Sequence, residues 1–174
     1  MKALVSSFLL IGMLSGYTQN KLADRVYFGG GFGLSANANQ TNVSLSPQVG
    51  YKITERYSAG IGIIYQYVGL KQFDVSLNNY GGSVFNRFNL TQQFFAYAEF
   101  ERLNYEYFAG NDPRITERAG YSSFLIGGGF SEQISRSASF NVTALYNVLY
   151  DVTDSPQPYN SPLVIRAGIG LGIF

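Results

Sequence analysis

From residue 25 onward, apolar and polar positions alternate along the chain with a period of two, the pattern of β-strands rather than helices. The cleanest run covers residues 139–150. Phe140, Val142, Ala144, Tyr146, Val148 and Tyr150 share one parity, and Ser139, Asn141, Thr143 and Asn147 share the other. Residues 162–174 repeat it, with Leu163, Ile165, Ala167, Ile169, Leu171 and Ile173 opposed to Val164, Arg166, Gly168, Gly170 and Gly172. Comparable runs occupy 25–35, 43–53, 57–69, 80–90, 93–107 and 121–134, so the pattern predicts eight strands. A last strand left at a sheet edge would expose a row of unpaired N–H and C=O groups. Pairing of the eighth strand with the first is therefore expected. The fold class is all-β, an eight-stranded antiparallel up-and-down barrel.

The connections alternate in length. Residues 54–56, 91–92 and 135–137 read as tight turns, whereas 36–42, 70–79, 109–118 and 151–161 are longer. Short turns at one end and long loops at the other are the asymmetry of transmembrane barrels of the bacterial outer membrane, whose long loops lie outside the cell. Each strand supplies the ~9–11 residues that a tilted strand needs to cross a bilayer. The two faces agree with this. In a soluble barrel the greasy parity would fill the interior. Here the opposite parity is too small and glycine-rich to be a solvated surface, so the greasy parity is expected to face lipid. Tyr51, Tyr57, Phe88, Phe94 and Phe140 near the short turns, and Tyr65, Tyr67, Tyr80 and Tyr150 toward the loops, match two aromatic girdles. Arg102 and Glu106 carry the outward parity. An Arg at mid-membrane depth on the lipid face would cost ~2–4 kcal/mol. The fifth strand is thus expected to leave the bilayer soon after Phe100 and to protrude with the sixth as a hairpin. Pro47 lacks a donor N–H within the second strand, and a local distortion is expected there.

The 174 residues suffice for one domain, and 12 basic against 11 acidic side chains leave a net charge of +1, which favours no nucleic-acid partner. Cysteine is absent, which excludes disulfides and thiolate metal sites. At the N-terminus, Lys2 followed by a short apolar stretch over 3–14 reads as an export signal, too short for a spanning helix. The expected division is a signal peptide over 1–20 and the barrel over 21–174.

The signal, the eight alternating strands, the GIGLG run at 168–172 and the terminal Phe174 together resemble small outer-membrane barrels of the OmpA/OmpX type. Within that class the chain looks most like the β-barrel-domain proteins of Bacteroidota, with PorT-like barrels as a relative. The resemblance implies an outer-membrane location, membrane lipid as surroundings, and Phe174 as the signal read by the barrel-assembly machinery. One departure is plain: two and four places before Phe174, where the assembly signature has apolar residues, stand Gly172 and Gly170.

Histidine is absent, so the catalytic histidine of known outer-membrane barrel enzymes has no counterpart here. Glu99 and Glu101 are neighbours on one strand face rather than carboxylates opposed across a cleft, so no catalytic residues are assigned. Neither a metal nor a cofactor is expected. The inward charges Lys52, Arg87, Glu99, Glu101 and Arg166 read as an ion network in the lumen, because charges inside a narrow barrel need partners. Arg166 and Glu99 stand at comparable depths, so Glu99 and Glu101 are expected to pair with Arg166, and with Arg87 where the stagger allows. Inward glycines on the first and last strands face bulky residues on the fourth and fifth, which points to a plugged lumen. The function expected is a structural or surface-interaction role through the outer loops, with an extracellular or envelope protein as partner. Two alternatives are a narrow channel or transporter for small solutes or apolar molecules, and an accessory barrel of a secretion or assembly machine.

Overall fold

The structure, a computed structural model, describes residues 25–36, 40–70, 75–108, 115–151, 153, 158–159 and 161–172. The expected signal over 1–20 and Phe174 lie outside these residues. Eight strands follow in order: β1 (Val26–Ala36), β2 (Gln40–Lys52), β3 (Tyr57–Leu70), β4 (Val75–Asn89), β5 (Phe94–Phe108), β6 (Thr116–Ser135), β7 (Ala138–Asn147) and β8 (Leu163–Leu171). Each pairs antiparallel with the next, and β1 pairs with β8, so the sheet closes into a barrel without an edge.

The parities hold as expected. Ile61, Ile63 and Ile165 point outward and are 64%, 65% and 69% exposed. Phe28, Phe32, Val84, Phe94, Ile126 and Leu171 join them in an apolar outer belt. The core lies inside the barrel. Its most enclosed apolar residues, Leu103, Leu125 and Leu145, belong to the inward parity of β5, β6 and β7. Above Phe100 the outer surface of β5 turns polar, with exposed Arg102 bonded to Ser122 Oγ at 2.7 Å.

Two of the tight turns share one device. Thr54 Oγ1 accepts the N–H of Tyr57 at 2.9 Å, and Thr91 Oγ1 accepts the N–H of Phe94 at 2.9 Å. A threonine hydroxyl held on the backbone three residues on is a local substitute for a ladder bond. The third reversal, after Ser135, carries a register shift between Gln133 and Ser135.

Three strands begin earlier than the sequence pattern, all at the loop end. β2 starts at Gln40, β4 at Val75 and β6 at Thr116, so residues expected in loops continue the strands. The reason is pairing across hairpins: Leu70 meets Val75, and Phe108 meets Thr116. Polar side chains also carry the sheet upward where the β4–β5 ladder stops at Tyr80 and Asn104. There Glu106 Oε2 accepts the N–H of Asn78 at 2.8 Å, and Asn79 Oδ1 accepts the N–H of Glu106 at 2.9 Å. Arg118 locks the hairpin by an ion pair to Glu106 at 3.0 Å. At the same end β7 is shorter than the pattern, stopping at Asn147 rather than running to residue 150.

The distortion expected at Pro47 is present. The β2–β3 ladder skips Ser46 and Pro47, while the register on both sides is unchanged. Opposite Pro47 sits Gly30, with φ at +146°, a conformation closed to side chains. A Cβ there would also run into the Ser46 carbonyl and come within 2.8 Å of Pro47 Cα.

Candidate functional site

Three of the five inward charges expected to form a network meet in one cluster in the lumen. β8 carries Arg166 and β5 carries Glu99 and Glu101, nearly diametrically across the barrel. The guanidinium spans the gap. Its Nη1 donates to Glu99 Oε2 at 2.7 Å, and its Nη2 donates to Glu101 Oε1 at 2.6 Å. Both carboxylates are sealed from solvent, at 1% and 0% side-chain exposure, whereas the arginine keeps 25%. Buried carboxylates are tolerable only when their remaining lone pairs are used. They are: Gln48 Nε2 donates to Glu99 Oε1 at 3.2 Å and to Tyr97 Oη at 3.0 Å, and Tyr159 Oη donates to Glu101 Oε2 at 2.6 Å.

Tyr159 is the residue that sequence reasoning placed elsewhere. It belongs to the β7–β8 connection, within residues 151–161 that the sequence pattern gives as a long outer loop. Instead its ring turns into the barrel mouth, beside Tyr121 at 6.3 Å between centroids. Nothing in its spacing announces this; only the aromatic character of a loop residue next to a hole is suggestive. The connection starts with a tight turn in which Asp151 Oδ1 accepts from the N–H and the hydroxyl of Thr153, both at 2.8 Å. The backbone N–H of Thr153, then its hydroxyl, hold the Asp151 carboxyl below the usual aspartate range.

Arg87 does not join the carboxylates, contrary to the expectation that it pairs where stagger allows. Its guanidinium lies over the Phe95 ring, 3.8 Å from the centroid. Nε donates to Asn89 Oδ1 at 2.9 Å and Nη1 to Asn141 Oδ1 at 3.3 Å. Two ladder steps separate it in depth from Glu99: Phe85, one position up its own strand face, is the residue opposite Glu99. Lys52 also stays out of the cluster and lines a wide vestibule at the short-turn end.

The glycine wall forms as the parities imply, with Gly29 opposite Gly170 and Gly31 opposite Gly168. The bulky rings do not all reach across to it. Phe85 lies where a Cβ on Gly60 would be, Phe95 does the same at Gly129, and Tyr27 at Gly50, each ring covering a glycine of an adjoining strand. Between the rings and the bare wall remains a cavity of about 80 Å³. Chemically, the cluster ties both glutamates to one arginine and leaves neither free as an acid–base pair.

The comparisons agree with the architecture. The chain is similar to the N-terminal β-barrel domain of Pseudomonas aeruginosa OprF, with a TM-score of 0.52 at 12% identity, over 86% of this chain and 98% of that one. No protein-family model and no curated protein matches the chain. At that identity the likeness speaks for the fold, an OmpA-like eight-stranded barrel, and not for a role.

Proposed function

We propose that this is an outer-membrane barrel protein with a side-chain-filled lumen, acting as a structural or surface-interaction protein through its loop end. The observation that carries the reading is the inversion of polarity. An apolar belt covers the outside, while charge is paired inside by Arg166, Glu99 and Glu101. An apolar surface of that extent in water would be an aggregation site, whereas in a bilayer it is the solvated surface. The polar collar that starts at Arg102 supports a membrane boundary just above Phe100. The raised hairpin of β5 and β6, braced by Glu106 and Arg118, is then the part that stands outside the cell. Non-enzymatic action is part of the proposal, supported by the absence of histidine and by the engagement of both glutamates. Kinship with Bacteroidota and PorT-like barrels rests on the sequence resemblance alone.

Membrane fractionation with N-terminal sequencing tests the location, and recovery from the outer membrane without residues 1–20 is expected. A soluble periplasmic protein would overturn the reading. Planar-bilayer recording of the purified barrel should show no steady conductance. A steady conductance altered by Glu99→Gln would replace the plug with a channel.

A further inference from the structure

We infer that the vestibule at the short-turn end is a binding site for a small oxyanion, a phosphate or carboxylate group, held by Arg87. This goes beyond the structural role proposed above and does not depend on the loops. The vestibule encloses about 780 Å³ and is bounded by the 54–57 and 90–93 turns. Arg87 and Tyr27 line both this space and the smaller cavity above it, so they form its floor.

The chemistry of that floor is what an anion requires. Among the described residues Arg87 makes no ion pair; an aromatic ring and two amide oxygens hold it. The Phe95 face takes one side of the guanidinium plane, which fixes its orientation and leaves charge to be met from another direction. Nε and Nη1 are used once each, so two donor hydrogens on Nη2 and one on Nη1 remain of the five. A planar fork of that kind accepts an oxyanion through two parallel bonds, which a point charge or a spherical anion does not match. Hydroxyl groups border the same space, those of Ser139 and Ser58 among them. Ser139 is 2% exposed and accepts from Asn141 Nδ2 at 3.4 Å, and Ser58 is bonded to Tyr27 Oη at 2.9 Å. Lys52 adds a second positive charge to the lining, and exposed Arg56 in the 54–57 turn adds a third. The acidic side chains of the lining, Glu55 and Glu132, are exposed near the mouth, and Glu132 accepts from Gln93 Nε2 at 3.0 Å. The field therefore grows more positive with depth.

The test uses the mature chain refolded in detergent micelles, with the Arg87 Nε–H resonance followed by NMR. Inorganic phosphate, acetate and chloride are titrated separately at constant ionic strength. A saturable shift with phosphate or acetate, absent with chloride, is expected, and the stronger of the two names the preferred oxyanion. Arg87→Lys keeps the charge but loses the fork, and should weaken binding by about ten-fold, read from the Ser139 amide. Arg118→Gln, at the opposite end of the barrel, should leave the titration unchanged. No saturable shift, or an equal response to chloride, overturns the site. That wild-type comparison stands even if an Arg87 variant fails to fold.

Discussion

Arg166 and Arg87 point into the same lumen from opposite walls, β8 and β4, and are held by different chemistry. Arg166 is neutralised within the chain by two carboxylates that are themselves sealed from water. Arg87 leans on Phe95 and two asparagines, next to open space. The first arrangement closes the lumen, because all three charges depend on one another and none can leave without stranding a buried ion. The second leaves a charge answerable to something from outside. Similar inward positions on facing strands therefore do unlike work, and the neighbours decide which.

The largest effect expected from breaking the contrast is at Arg166. Arg166→Ala should destabilise the barrel by ~3–5 kcal/mol, reduced by whatever water reaches the quarter-exposed guanidinium. Urea unfolding in detergent or lipid reads this. Adding Glu99→Gln should recover part of the loss, and strict additivity would show that the pair is not coupled. Next comes Tyr159→Phe, which removes the hydroxyl from buried Glu101 while keeping the ring. A loss of ~1.5–3 kcal/mol is expected in the same assay, the range for hydrogen bonds to charged groups. A value near zero would mean that the β7–β8 connection does not seal the mouth.

Arg87→Met should cost less, ~0.5–2 kcal/mol for the lost ring contact, because no buried carboxylate is left behind. If it proved as damaging as Arg166→Ala, the two arginines would be equivalent and the comparison would fail. The smallest effect concerns the turn at Asp151. Its carboxyl is depressed, so its contribution is complete above the ordinary aspartate pKa and fades as pH falls through the lower folded value. The protection of the Thr153 amide, the slowing of its exchange relative to an unstructured amide at the same pH, should therefore fall on acidification, and Asp151→Ala should lower it at neutral pH. Protection insensitive to both would show that the Asp151 carboxyl does not hold this turn.

Much of this was legible in the sequence. The period of two assigned every described strand and its faces, because a side chain's side of a sheet is a local property of the backbone. Closure followed from the cost of unpaired edges, and the Arg166–Glu99–Glu101 set followed from parity and approximate depth. Local pattern failed where one short sequence has two fates. Ile-Thr-Glu-Arg occurs at 53–56 as a turn and again at 115–118, where Thr116 to Arg118 lie in β6. At the second site Thr116 Oγ1 donates to Glu106 Oε1 at 3.0 Å and Arg118 pairs with the same carboxylate. A partner strand overrode the turn chemistry that Thr54 displays at the first.

Depth across the lumen lay further out of reach. Followed along the ladders, Arg166 stands opposite Thr143, Thr143 opposite Gly129, and Gly129 opposite Phe95 rather than Glu99. Strand tilt in a closed barrel carries Glu99 and Glu101, further along β5, to the level that the guanidinium reaches. The same tilt leaves Arg87 below that level, over the ring of Phe95. The sequence by itself determined which side chains enter the lumen, since alternation is written residue by residue. Only the tertiary structure decided that Arg87 stays apart from the carboxylates, and that Tyr159 comes in from the loop to join them, because stagger and closure are properties of the whole ring of strands.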